Sequence, residues 1–244
     1  MTLPEPRPIA WPLRPLASAE TGMIALPDGR LELTIRHAVL KSVTPEMLYW
    51  WYGNVEGSMN YMGRVYPRYL VWHPLDHVSY TVVRRAPDGS VDPGARVRII
   101  EAFARNPAYR IDVEMEIFCL DRTGATVARR LFGQQVMILA NTFVPLPEGT
   151  QVLTRFVIGL ETLPLRRRLN AILTVRLFPV DKAKAWLKHN VEEVGTLEHF
   201  LPALFASQAG WTPEPDSTPM RSSHQSMVYS DLDRVKRATD TASG

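Results

Sequence analysis

Asp181-Lys182-Ala183-Lys184-Ala185-Trp186-Leu187-Lys188-His189-Asn190-Val191-Glu192-Glu193-Val194 is the stretch whose reading decides the fold of this 244-residue chain. Asp181 reads as an N-cap, and Lys182–Val194 as a helix with an apolar stripe at Trp186-Leu187 and Val191-Val194. Gly195 is expected to interrupt it, with Thr196–Ser207 continuing and Pro202 kinking or restarting the second part. A buried stripe needs a surface to cover. From Tyr69 to Gly159 the pattern is mostly strand: Val78–Arg84, Arg96–Phe103, Tyr109–Leu120, Thr126–Phe132, Gln134–Phe143 and Gln151–Gly159. Between them stand turn signals such as Pro87-Asp88-Gly89, Pro93-Gly94 and Pro147-Glu148-Gly149. Short segments joined by tight turns predict an antiparallel meander. A curved antiparallel sheet with a long helix near the C-terminus predicts an α+β helix-grip architecture. In such a fold the sheet wraps the helix, and the cavity between them suits an apolar or aromatic small molecule.

The same helix carries the first chemical signal. His189 and Glu193 are four apart, which on a helix puts an imidazole and a carboxylate on one face, about 5–6 Å apart at Cβ. Both can then point at one metal ion. A second cluster, Tyr69-Leu70-Val71-Trp72-His73-Pro74-Leu75-Asp76-His77, sits in an aromatic, poorly charged context. Three of the six histidines fall in these two clusters. If the fold joins them, the chain has a mononuclear metal centre, to which either His73 or His77 is open as a contributor. An i, i+4 pair alone is more often a solvated face, so the convergence matters more than the spacing.

Composition narrows the alternatives. The net charge is +3 and the pI about 9.1, with basic residues scattered. The run Arg166-Arg167-Arg168 lacks interleaved aromatics and reads as a solvated element end, so no nucleic-acid partner is expected. The single cysteine, Cys119, excludes an intramolecular disulfide and a cysteine-based zinc site. No signal segment or bilayer-spanning apolar run is read, so a cytoplasmic protein with no membrane partner is expected. Residues 1–22 read as a proline-rich arm, 23–211 as one catalytic domain and 212–244 as a flexible tail. Within the domain, Leu31–Leu40 reads as a strand, Pro45–Tyr52 as a helix capped by Thr44, and Leu163–Phe178 as partly helical. Whether the chain forms a homo-oligomer is left open.

Four segments then carry a resemblance. Thr44-Pro45-Glu46-Met47-Leu48-Tyr49-Trp50-Trp51, the Tyr69–His77 cluster, Ile99-Ile100-Glu101-Ala102-Phe103, and His189–Gly195 with Phe200-Leu201-Pro202 resemble, in order, the diacetylphloroglucinol hydrolase family, which includes phloretin-hydrolase-like enzymes. The likeness spans roughly residues 30–205. It implies a helix-grip domain like that of the birch-pollen allergen and of START proteins. It also implies a zinc held by two histidines and two glutamates, and hydrolysis of the carbon–carbon bond between an acyl group and a phenolic ring.

Carried over by position, the resemblance makes His77, Glu101, His189 and Glu193 the metal ligands. It prefers His77 because the family's ligand histidine stands eight residues after a substrate-contacting tyrosine, here Tyr69. His73 becomes a pocket or hydrogen-bonding residue. Glu101 stands among Ile99, Ile100, Ala102 and Phe103, where an unpaired carboxylate would be costly. Its rivals are Glu114, Glu116 and Glu192, of which Glu114 and Glu116 share one face of their strand, read as exposed. Tyr69, His73 and Asn141 are the candidate catalytic positions, and Trp50, Trp51, Tyr69 and Phe156 the candidate lining of the substrate pocket. The chain departs from the family near Asn141, where many members carry histidine, and near Phe156, where many carry tyrosine. Asparagine cannot shuttle a proton at neutral pH, and phenylalanine has no hydroxyl.

The expected cofactor is one Zn²⁺ per chain, ahead of Mn²⁺, Fe²⁺ or Co²⁺, because the reaction needs a Lewis acid and no redox change. The expected partner is a small aromatic ketone. The alternatives are a protein that binds a hydrophobic polyketide without chemistry, or another metal-assisted reaction on a polyketide.

Overall fold

Apolar–polar alternation builds the strands of one large antiparallel sheet. The computed structural model describes residues 3–162 and 165–208. In chain order the elements are β1 (Glu20–Ala25), β2 (Leu31–Arg36), β3 (Leu40–Lys41), α1 (Pro45–Gly53), β4 (Ser58–Tyr61), β5 (Arg64–Pro67), α2 (Arg68–Trp72) and β6 (His77–Arg84). They continue with β7 (Arg96–Ala102), β8 (Arg110–Asp121), β9 (Gly124–Leu131), β10 (Gln134–Leu146), β11 (Gly149–Ile158), α3 (Arg166–Leu177) and α4 (Val180–Ala206). The large sheet runs β1-β2-β11-β10-β9-β8-β7-β6, with β3 on β11, and β4 pairs with β5 as a separate hairpin. This is the helix-grip arrangement. From Ala183 to Leu201 most of α4 is buried, and residues His189–Leu197 are buried without interruption, as a helix enclosed by its own sheet must be. Its first half packs Ala183, Trp186, Leu187 and Val191 on Leu33 and Ile35 of β2, Met137 of β10, and Phe156 and Ile158 of β11.

The strand pattern shows why the meander was legible. In β7, Val97 and Glu101 face inward, while Arg96 and Arg98 face solvent. Across the outer face Arg96 meets Glu114 (3.2 Å) and Glu116 (3.8 Å), and Arg98 meets Asp112 (2.7 Å). Those acids are thus occupied on the convex side. α1 starts as read: Thr44 accepts from the Met47 N–H and Pro45 fills the first position.

Four expectations change. α4 is continuous through Gly195 and Pro202. At Gly195 the absent side chain makes room for Arg14, whose Cδ would lie 2.5 Å from a Cβ there. Arg14 uses that passage to reach the Ala38 and Val39 carbonyls and Glu198. Asp181 lies in the first turn of α4, which starts after Pro179. Tyr69-Leu70-Val71-Trp72 is a short helix although its composition is strand-like. The sheet begins at Glu20, so the last residues of the segment read as an arm pair with β2. Elsewhere in the segment's described residues, the Pro8 carbonyl accepts from Tyr61, and Trp11 packs on Phe200. The tail at 212–244, the end of the domain at 209–211, and Leu163 lie outside the described residues.

Candidate metal centre

The site is assembled by three neighbouring elements. His77 opens β6 and sits opposite Glu101 of β7 in the ladder. α4 lies over this pair with His189 and Glu193 one turn apart. α2 sets the rotation of α4: the Trp72 indole donates to the Glu193 carbonyl (2.7 Å), and the Thr196 hydroxyl donates to the Trp72 carbonyl (2.7 Å).

The structure brings the four side chains into one cluster. His77 Nε2 lies 3.2 Å from Glu193 Oε2 and 3.6 Å from Glu101 Oε1. His189 Nε2 lies 3.7 Å from Glu101 Oε2 and 3.8 Å from Glu193 Oε2. Hydrogen bonding at the other nitrogens assigns the tautomers. His77 Nδ1 faces the Tyr69 carbonyl (2.6 Å), which can only accept, so Nδ1 carries the hydrogen. His189 Nδ1 faces the Asp76 carboxylate (3.1 Å), with the same result. Each Nε2 is therefore a bare lone pair. Both are buried, and neither has a hydrogen-bond partner among the described residues. With Glu101 and Glu193 ionised, two imidazole lone pairs and two carboxylates face one another as acceptors; without a cation, burial favours a proton on the carboxyls. A cation satisfies all four. Tetrahedral coordination at about 2.1 Å places ligand atoms about 3.4 Å apart, within the observed spread. The residues fit a divalent metal, and zinc suits this nitrogen and oxygen donor set.

His73 is different. Its Nδ1 accepts from the Asp76 N–H (3.1 Å), so Nε2 carries the hydrogen and faces Glu192 Oε2 at 3.3 Å. Both nitrogens are spent. Glu192 is also met by the partly exposed Lys188 ammonium. The nearby group His73, Asp76 and His189 is thus a hydrogen-bonded support for His189 and presents no second set of bare donors. Asp76 is held by the Ala104 and Arg105 N–H groups (2.9 and 3.0 Å). Burial alone would raise its pKa, but the hydrogen bond and charge of His189, the charge of His73 and the Ala104 N–H carry it below the usual carboxylate range.

Burial dominates the other ionisations. It lowers His77 to about 4 and His189 to about 3, and raises Glu101 to about 7 and Glu193 to about 8 without a cation. The imidazoles are therefore neutral and ready to ligate at pH 7. Tyr69 stacks on His77 at 3.9 Å and donates its hydroxyl to Glu101. Burial, then the charge of Glu101, holds its proton on.

Of the remaining sequence candidates, Asn141 on β10 donates to the Tyr52 hydroxyl (3.1 Å) and accepts from Thr154 (2.7 Å). Trp51 packs between Trp72 and Phe200, and Trp50 between Arg68 and Phe205. Phe156 packs on Trp186 and Phe178 in the core. The side chain of α1 coupled to the cluster is Tyr52: burial, then the charge of Glu193, raises its pKa. Tyr52, Asp76, Asn190, which donates to Glu193 (2.5 Å), and His37, which contacts Thr154 (3.0 Å), escaped the sequence reading. Only Asp76, inside the Tyr69–His77 motif and immediately before His77, left a signal there.

No family model and no curated protein matches the chain. Similar solved structures include a START superfamily protein from Mycobacterium smegmatis, with TM-score 0.44 and 12% identity over 74% of this chain and 99% of that one. A protein of unknown function from Staphylococcus aureus gives TM-score 0.40 and 13% identity over 78% and 99%. No helix among the described residues is long and apolar enough to cross a membrane.

Proposed function

We propose that the chain is a metal-dependent hydrolase that cleaves the bond between an acyl group and a phenolic ring, as the resemblance to the diacetylphloroglucinol hydrolase family implies. The observation that carries this reading is the pair of orphaned Nε2 atoms of His77 and His189 facing Glu101 and Glu193. These four residues would hold a zinc ion, which when bound supplies Lewis acidity toward an acyl carbonyl or a coordinated water. The chain's own groups do the rest. Asp76 and the Tyr69 carbonyl orient the two imidazoles. Tyr69 stays protonated, so it can donate a hydrogen bond to a phenolic or acyl oxygen in place of Glu101. Asn141 donates to the Tyr52 oxygen, which leaves the Tyr52 hydrogen free to donate. Cleavage also needs a proton at the ring carbon that leaves, and asparagine at 141 cannot supply it.

The test is metal content and turnover together. Purified protein is expected to bind about one zinc per chain, and the loaded protein to release a carboxylic acid from an acylphloroglucinol-type ketone. Glu193→Gln abolishes release. A second reading, binding of a hydrophobic small molecule without turnover, is favoured by the helix-grip architecture. Ligand-dependent stabilisation with no acid released from a panel of acylphenols supports it. A protein that takes up no metal on zinc addition at neutral pH overturns the first reading.

A further inference from the structure

α3 has no favourable N-terminal feature, neither a side-chain cap nor an acid in its first turn, whereas α4 at least carries Asp181 there. Its N-cap is Leu165, in the left-handed region (φ 59°), with no side-chain cap. Its first turn holds Arg166, Arg167 and Arg168 and no acid, the unfavourable sign for a helix N-terminus. Between Leu165 and Val180 there are four arginines and no acidic residue. Only Asn170 of α3 is buried; it ties the helix to the Leu160 backbone and the Asp28 carbonyl.

The outward face is apolar where solvent contact would favour polar residues. At 3.6 residues per turn, Leu165, Arg168, Leu169, Ile172, Val175 and Arg176 fall on one stripe. Ile172 is 55% exposed, Val175 69% and Leu165 73%. A second feature lies at the same end of the sheet. The β9–β10 hairpin turns through Phe132 and Gly133, both at positive φ, and the Phe132 side chain is fully exposed. A left-handed phenylalanine is uncommon and gains nothing from packing here. The hairpin and the segment before α3 are joined by the Thr162–Gln134 hydrogen bond (2.6 Å).

We infer that this end of the molecule docks on the surface of an anionic lipid bilayer, with α3 lying in the interface and Phe132 inserted beside it. Interleaved arginines and aliphatic side chains match a surface of negative headgroups over hydrocarbon, with the arginine stems apolar and their heads at the phosphates. Headgroup phosphates also answer the uncapped, positively charged start of α3. A nucleic acid offers the charge but no apolar phase. A second copy packed through a two-fold would set arginine against arginine.

The test is flotation of the full chain with phosphatidylcholine vesicles and with vesicles also containing phosphatidylglycerol. Binding to the anionic vesicles is expected, weakened at about 0.5 M salt. Arg168→Ser with Arg176→Ser weakens it roughly thirtyfold, at the usual contribution per basic residue. Ile172→Glu with Phe132→Asp abolishes it, and Val175→Glu on the same stripe weakens it independently. Retention of zinc by these surface variants shows that the body still folds. Equal binding to neutral vesicles, no flotation, or binding indifferent to the substitutions overturns the inference. So does a dimer by light scattering that Ile172→Glu converts to a monomer.

Discussion

The two sides of the buried histidine cluster use the same residue types to opposite ends. On the His73 side every ring nitrogen has a partner: the Asp76 N–H on one, Glu192 on the other. On the His77 and His189 side the outer nitrogens are partnered and the inner ones are bare. Residue identity and burial do not distinguish them, since all three are almost fully buried. What separates the two sides is whether the last lone pair of each imidazole has been used.

The largest expected effect tests that difference directly. His77→Ala should lower zinc affinity by more than about 100-fold, beyond what loss of an outer partner costs. His73→Ala should leave zinc bound. It should instead lower stability by about 1–3 kcal/mol, because Glu192 and the buried Asp76 N–H lose a partner. Competition with a chelator and denaturant melts read the two quantities. Zinc binding that needs His73 and ignores His77 would reverse the comparison.

An intermediate effect is expected at the boundary. Asp76→Asn keeps the shape of the side chain but withdraws the charge behind His189 Nδ1 and invites the wrong tautomer. Zinc affinity should fall roughly 10–100-fold. An unchanged affinity would mean that Asp76 serves only the turn it caps at Ala104 and Arg105.

The smallest effect concerns His37, a buried histidine outside the four-residue cluster that contacts Thr154. Burial, then the charge of Arg14, lowers its pKa to about 3. The unfolded chain takes up that proton below about pH 6.5 and the native chain does not. Stability is thus fully present above that value and falls as pH drops toward 3, by at most about 1.4 kcal/mol per pH unit from this group. Unfolding of zinc-loaded His37→Gln between pH 7 and 5 should show a shallower loss than the parent.

Much of this was legible before the fold was seen, for reasons that differ by residue. The strands of residues 77–158 show alternation bounded by glycine and proline turns, and their ends lie within a few residues of the expected ones. Local signals misread α4 at Gly195 because the reason for that glycine is Arg14, 181 positions earlier in the chain. They misread α2 because β-branched and aromatic residues were held helical by contacts with α4. The four cluster residues could be named because ligand chemistry restricts residue type. Tyr52, Asn190 and His37 could not, since a tyrosine, an asparagine or a histidine acquires its role only from a partner in another element. Trp50, Trp51 and Phe156 show the reverse: aromatic density marks burial, and here they pack among other aromatics.

The grip has a consequence for biosynthesis. His189 and the Asp76 that orients it are 113 residues apart, and α4 follows all eleven strands. A chain leaving the ribosome therefore completes its sheet while the concave face still lacks its helix. Glu101 and His77 can meet early, but the third and fourth side chains of the cluster must wait for the last described helix to emerge. Closure of the four-residue cluster is then a late event, one that a chain truncated before Glu193 cannot complete.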